Sequence, residues 1–160
     1  MPEPDGGPAR REPFRARLPR GVLVVVALGG LLGGMARYLL GLAFPTPVGK
    51  FPLTTFAINV SGAFLLALLL VYVLEIWPPT RYVRAFAGVG FLGSYTTFST
   101  WMVDTHRLLH HGHHAAAAVN VFGSIAAGLA ATVLGLLVGR LALSRRARHG
   151  RTGRYGWWVR

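Results

Sequence analysis

Four long stretches of this chain are almost free of charged residues, and this pattern limits the possible folds more than any other feature. Arg37 is the only charge inside them, and they cover residues 21–44, 51–74, 85–103 and 115–139. A bilayer core of about 30 Å needs roughly 20 apolar residues in a helix, so each stretch is long enough, or nearly so, to cross it. Backbone groups in hydrocarbon must be paired within their own segment, which predicts helices. The stretches lack the every-second-residue alternation of membrane barrel strands.

The predicted fold is an all-α integral membrane protein with four transmembrane helices. We place the membrane domain at residues 21–143, between a Pro- and Arg-rich tail over 1–20 and a basic tail over 144–160, both predicted to be disordered. The helices are predicted at 21–44, 51–74, 83–106 and 115–141, with the third broken near residues 93–97. Charged residues make up 14% of the chain, against roughly 25% in soluble domains, so a soluble globule is not expected.

The basic residues lie mostly on one side of the predicted bundle. Fourteen Lys and Arg residues lie on one side, in the two tails, in the loop between the second and third helices, and at the adjoining helix ends (Arg84 and Arg140), whereas the other side has only Lys50 and Arg107. The positive-inside rule therefore places both termini in the cytoplasm. The net charge of +12 comes largely from the tails, so a lipid bilayer, and not nucleic acid, is the expected partner. The absence of Cys excludes a disulfide scaffold and a thiol nucleophile.

The first two predicted helices each contain a polar side chain at membrane depth. Arg37 either belongs to a functional site, as an intramembrane charge usually does, or snorkels to an interface. Asn59 must satisfy its amide, so it either serves an anion with its two N–H donors or bonds to another helix. Two GxxxG pairs in the first helix favour close helix packing. The pairs are Gly29 with Gly33 and Gly30 with Gly34.

The third helix contains the most informative segment. Residues 93–97 read Gly-Ser-Tyr-Thr-Thr, which is poor helix sequence and predicts a break. Non-helical backbone at that depth is tolerated only where it is buried in protein or lines a cavity, and its carbonyls are natural ligands for Na⁺. Phe98 and Trp101 follow on one helical face. They either present positive ring edges to a small anion or form a packing pair, and spacing alone favours packing.

The fourth helix has a stripe of polar and small residues at four-residue steps, which either lines a pathway or seats a neighbouring helix. Its members are Asn120, Ser124, Gly128 and Thr132. The His-rich segment 110–114 precedes it, and without a nearby acid a metal site there is not favoured. No Asp or Glu lies inside a span. This argues against a proton-coupled exporter and leaves catalysis without a candidate, so an enzyme is not expected.

Four motifs in these spans resemble those of the CrcB/Fluc family of fluoride channels. They are GGLLGGMARY in the first span, NVSGAF in the second, GFLGSYTTFST in the third and NVFGSIAAG in the fourth. The resemblance covers residues 22–142 and leaves only the tails outside. Four motifs in the same order within four spans are a specific signal, and the TTFST run is the most diagnostic of them.

The resemblance implies an antiparallel, dual-topology dimer with two fluoride pores, and passive export of fluoride from the cytoplasm. It also implies a central, structural Na⁺ that is not transported and is held by the backbone carbonyls of Gly93 and Thr96 in both subunits. The remaining implied site residues are pore and vestibule side chains. They are Asn59 as the pore amide, Phe98 and Trp101 as the pore aromatics, Ser124 and Thr100 on the polar track, and Arg37 near the vestibule.

Two features depart from the family pattern. Trp101 stands where the family usually has a second Phe, and an indole is larger and adds an N–H donor. The charge bias of fourteen against two is also unexpected, since a chain that inserts in both orientations needs nearly balanced loops. The partner is therefore either a second copy or an oppositely oriented paralogue. The alternatives to a channel are a small dual-topology transporter and a non-conducting membrane scaffold.

Overall fold

The computed structural model describes the backbone of residues 19–75 and 81–151, and side chains over 19–73 and 81–144. Most of the two predicted tails lies outside the described residues, over 1–18 and 152–160. Within the described ranges the chain is helical and contains no strand, which confirms the predicted all-α class.

Within residues 19–75 and 81–151, seven α-helices and two π-helical segments follow one another. The helices are α1 (Arg20–Ala43), α2 (Leu53–Glu75), α3 (Arg81–Val83), α4 (Gly93–Tyr95), α5 (Phe98–His110), α6 (His114–Ala118) and α7 (Ser124–Arg151). The first π-helical segment, Arg84–Leu92, joins α3 to α4, and the second, Val119–Gly123, joins α6 to α7. The third predicted span thus consists of α3, the first π-helical segment and α4, followed by α5 after a break.

In the part of the chain that the structure describes, three helical stretches are long and apolar enough to cross a membrane. They are Arg20–Ala43, Leu53–Val73 and His114–Ser144. The third predicted span is not among them because Thr96 and Thr97 interrupt its helix, within the run for which the sequence predicts a break. Large apolar side chains of these helices are exposed on the single chain, Leu31 and Leu129 among them. This is the distribution expected for helices that face lipid or a second subunit.

Two boundaries differ from the sequence prediction by four residues or more, the others differ by one or two residues, and neither π-helical segment was predicted. The third span continues past residue 106 to His110, and the fourth continues past residue 141 to Arg151. The extension of α7 over part of the predicted C-terminal tail agrees with its Ala, Leu and Arg residues, which are good helix formers. No compositional rule separates a π-helical turn from an α-helical one, so the two π-helical segments were not predictable in the same way.

The GxxxG pairs of α1 have different environments. Gly29 and Gly33 are buried, and a Cβ on Gly33 would lie 2.8 Å from the carbonyl carbon of Phe91 in the first π-helical segment. By contrast, a Cβ on Gly34 would meet nothing within 4 Å. The first pair therefore brings α1 and the first π-helical segment into backbone contact, as predicted. Gly34 leaves room beside the break in the third span.

Candidate functional site

The break between α4 and α5 is made by two threonines with extended backbone. Thr96 has φ −72° and ψ 156°, and Thr97 has φ −148° and ψ 125°. The Thr97 hydroxyl accepts a hydrogen bond of 3.2 Å from the backbone N–H of Thr100, which is a typical N-cap interaction. The TTFS sequence therefore ends one helix and starts the next within two residues.

Asn59 of α2 binds the backbone of the break at two points. Its Nδ2 donates to the Thr97 carbonyl at 2.9 Å, and its Oδ1 accepts from the Thr97 N–H at 2.8 Å. Both polar groups of one peptide residue are thus paired with a single side-chain amide. This arrangement agrees with the interpretation of Asn59 as a link between helices. One N–H of Nδ2 is still able to donate elsewhere, because the amide has two.

Two backbone N–H groups at the break donate to side chains and not to the carbonyls that they would bind in a continuous helix. The carbonyl of Gly93 would accept from the Thr97 N–H, which donates to Asn59 instead. The carbonyl of Thr96 would accept from the Thr100 N–H, which donates to the Thr97 hydroxyl instead. Both carbonyls predicted as Na⁺ ligands are therefore among the carbonyls of the break that lose their usual helical donors.

An open cleft of about 770 Å³ lies beside the break, between α1, α2 and α5. Its polar lining residues include Arg37, Thr55, Thr97, Thr100, Asp104 and Arg107. Arg37 is half-buried, and its Nη1 donates to the Thr96 carbonyl at 3.5 Å, the upper limit for a hydrogen bond. Two guanidinium groups and one carboxylate give the cleft a net positive charge, which favours entry of an anion.

Asp104 also lines this cleft, although its sequence position predicted only that it lies at the end of a span. Its side chain is 12% exposed, its Oδ2 accepts from the Thr55 hydroxyl at 2.7 Å, and its Oδ1 lies 4.0 Å from Arg107. Thr97, Thr100, Asp104 and Arg107 recur at steps of three or four residues, which places the last three on one face of α5, with Thr97 at its N-cap. This spacing is the sequence signal from which the polar face could have been predicted.

The two predicted pore aromatics lie together at the start of α5. The rings of Phe98 and Trp101 are 5.4 Å apart in an edge-to-face arrangement. Phe98 is 71% exposed, which leaves its ring available for contacts outside the chain. Trp101 is half-buried, and its indole N–H donates to the Asn120 carbonyl at 3.0 Å.

The polar residues at the start of the fourth span and in α5 complete the candidate site. Among the described residues, two buried side-chain atoms have no hydrogen-bond partner within the protein, namely Asn120 Oδ1 and Ser124 Oγ. Thr100 is exposed, and its hydroxyl accepts from the Thr97 hydroxyl at 3.1 Å. The structure thus brings Arg37, Asn59 and Thr100 to the break. It connects Trp101 to the fourth span, one turn before Ser124.

The His-rich segment forms ring contacts around the end of α5. The rings of His106 and His110 are 6.2 Å apart, and those of His110 and His111 are 5.4 Å apart. No group of three or more His, Cys, Asp or Glu side chains is placed to hold a metal ion in the part of the chain that the structure describes.

The chain is similar to one family of known proteins. Residues 24–136 match the model of a family described as CrcB-like protein, Camphor Resistance (CrcB). The chain is 78% identical over 151 residues to fluoride-specific ion channel FluC 3 of Streptomyces avermitilis, which covers 92% of this chain and 74% of the relative. It is 42% identical over 135 residues to FluC 2 of Nocardia farcinica, covering 84% and 94%. It is also 46% identical over 104 residues to FluC 2 of S. avermitilis, covering 65% of each.

Proposed function

Because the chain belongs to the CrcB-like family, whose relatives above are named fluoride-specific ion channels, we propose that it conducts fluoride passively out of the cytoplasm. The observation that carries this proposal is the exposed ring of Phe98 at a helix break whose Thr97 and Thr100 line a positively charged cleft. The direction of flow follows from the gradient, since a pore without an energy source lowers a raised cytoplasmic level. The biological consequence would be relief of fluoride toxicity.

The pathway must replace the water around a small, strongly hydrated anion. Arg37 and Arg107 raise the local concentration of anions in the cleft. Hydroxyl groups of Thr100 and Ser124, the remaining N–H of Asn59 and the positive ring edge of Phe98 are the donors that take over from water. Each contact is weak enough to release the ion to the next, which conduction requires.

A second subunit in antiparallel orientation would complete the pathway. Phe98 projects from the single chain, and a ring that lines a pore needs an opposite wall. The partner is a second copy of the chain or a paralogue of opposite orientation. The charge bias of fourteen against two favours the paralogue. It also fits that proteins named FluC 2 and FluC 3, both similar to this chain, occur in one organism, Streptomyces avermitilis.

The two carbonyls of the break that lack their helical donors fit a structural Na⁺, which prefers oxygen ligands. Gly93 and Thr96 would supply two carbonyls from each subunit, so that four would meet where the breaks of an antiparallel pair face each other. When bound, the ion would hold the two breaks together and add positive charge near both pores. Asn59 and the Thr97 cap hold the backbone that presents these carbonyls.

Fluoride efflux from liposomes that contain the purified protein tests the proposed function. We expect efflux that persists without a proton gradient, because no step of the pathway carries a proton. A proton-coupled transporter would use Asp104, the carboxylate of the cleft, and its flux would follow the proton gradient. A non-conducting scaffold would leave the vesicles sealed to fluoride.

Replacing Phe98 by Ala is expected to reduce fluoride efflux by more than tenfold without unfolding the protein. The ring edge is one of the contacts that replace water, whereas little of the side chain is buried within the chain. Efflux and thermal unfolding should be measured on the same preparation. The matched control is Phe122→Ala, since Phe122 is 72% exposed and has no assigned part in the pathway. Equal efflux in wild type and Phe98→Ala would contradict the pore assignment.

A single Cys added near the C-terminus is expected to react from one side of the membrane only. The native chain has no Cys, so a membrane-impermeant thiol reagent reports that position alone. Labelling of intact cells compared with opened cells measures the orientation. Half of the protein labelled from each side would show insertion in both orientations and would remove the argument for a paralogue.

A further inference from the structure

The Trp at position 101 already uses its only polar group inside the chain. Its Nε1–H donates to the backbone carbonyl of Asn120 at 3.0 Å. Asn120 lies in the second π-helical segment and is 0% exposed. An indole has a single N–H and no acceptor, so every other edge of the Trp101 ring is made of C–H groups.

Two further hydrogen bonds close a ring around this contact. Asn120 Nδ2 donates to the Thr105 hydroxyl at 2.8 Å, and that hydroxyl donates to the Trp101 carbonyl at 2.8 Å. Trp101, Thr105 and Asn120 are therefore joined by three bonds, which we call the indole clamp. Thr105 is also buried. Loss of any member would leave a buried polar group without its partner, which is costly in a dry environment.

The indole clamp fixes which edge of Trp101 is turned toward the pathway. The N–H edge faces the second π-helical segment, while the ring meets Phe98 edge-to-face at 5.4 Å. Phe98 is the exposed member of this pair. An anion that reaches Phe98 and then Trp101 would therefore meet C–H edges at both rings, as it would with two Phe residues.

We propose that Thr105 and Asn120 are positioning residues that hold the Trp101 indole so that it offers fluoride a C–H edge and withholds its N–H. The inference rests on the proposed function, since it deepens the role of a pore aromatic. Trp101 then differs from Phe in size and in its connection to the fourth span, but not in the kind of contact it makes with the anion.

A spectroscopic measurement on the indole N–H tests this inference directly. A full-length variant with Trp77, Trp157 and Trp158 changed to Phe keeps Trp101 as the sole Trp. We expect the ultraviolet resonance Raman spectrum of this protein in liposomes to show a hydrogen-bonded indole N–H. Saturating NaF, compared with equimolar NaCl, should leave that band unchanged. A fluoride-specific shift of the band would overturn the inference, because it would mean that the N–H binds the anion.

Matched variants at position 105 test the positioning role. Thr105→Val keeps the shape but removes the hydroxyl, and we expect a weakened indole hydrogen-bond signal together with a roughly tenfold loss of fluoride efflux. Thr105→Ser restores the hydroxyl and should restore both readouts. A Val variant with an unchanged Raman band and unchanged efflux would contradict the role of the indole clamp. Failure of the proposed function would give a different result, namely a wild-type protein without fluoride efflux. The Raman measurement of the indole N–H would still be interpretable in that case.

Discussion

Asn59→Ala is expected to abolish fluoride efflux and to lower the free energy of unfolding by about 2–4 kcal/mol. The wild-type amide satisfies both the N–H and the carbonyl of Thr97, at 2.8 and 2.9 Å. Alanine leaves the Thr97 N–H unpaired in a residue that is 7% exposed, and it removes one of the two bonds to the Thr97 carbonyl, which as N-cap keeps its helical donor. The break then loses the contact that holds it open, and with it the orientation of Phe98 and of the carbonyls proposed for Na⁺.

Ser61→Ala is the matched control for this prediction. Ser61 lies two residues further along α2, and its hydroxyl contacts the Ile58 carbonyl at 3.1 Å and the Tyr95 hydroxyl at 3.2 Å. Neither contact involves Thr96 or Thr97, so efflux should stay near the wild-type rate. Efflux and thermal unfolding of both variants give the comparison. An Asn59→Ala protein with normal stability and normal efflux would show that the break does not depend on this amide.

Gly33→Ala is expected to prevent stable packing of α1, at a cost of about 3 kcal/mol or more. The new Cβ would lie 2.8 Å from the carbonyl carbon of Phe91 and 3.0 Å from its Cα. Both are backbone atoms, so no side-chain rotation relieves the overlap and the two helices must separate. Since α1 and the first π-helical segment form one wall beside the break, efflux should be lost as well.

Gly34→Ala, one residue along α1, should be tolerated. A Cβ at that position meets nothing within 4 Å, and alanine is the better helix former by about 1 kcal/mol. Resistance of the two variants to thermal unfolding in detergent is the decisive comparison. If Gly33→Ala and Gly34→Ala were equally stable, the close approach of α1 to the first π-helical segment would not contribute to the fold.

Much of the fold was predictable because a membrane span is set by length and the absence of charge. Those two properties locate α1, α2 and the fourth span within a few residues, except for the far end of α7. The break at Thr96 and Thr97 was also predictable, because adjacent β-branched residues after Gly-Ser are poor helix sequence. These are local properties, which a single sequence contains in full.

The partners of the polar residues were not predictable, because they depend on which helices pack together. The sequence left Asn59 with two interpretations. Only the position of Thr97 opposite α2 shows that the side-chain Nδ2 and Oδ1 of Asn59 both bond to the break. Trp101 and Asn120 are nineteen residues apart, and no periodicity connects them. Asp104 was assigned to a helix end, yet α5 continues for another turn and brings it into the cleft.

Planar bilayer recording of the purified protein under a fluoride gradient is the most direct measurement of passive fluoride conduction. We predict a current that reverses at the equilibrium potential of fluoride, is unchanged by a pH difference across the bilayer, and disappears when chloride replaces fluoride on both sides. A bilayer that stays silent in fluoride, or a reversal potential that follows the proton gradient, would contradict the account.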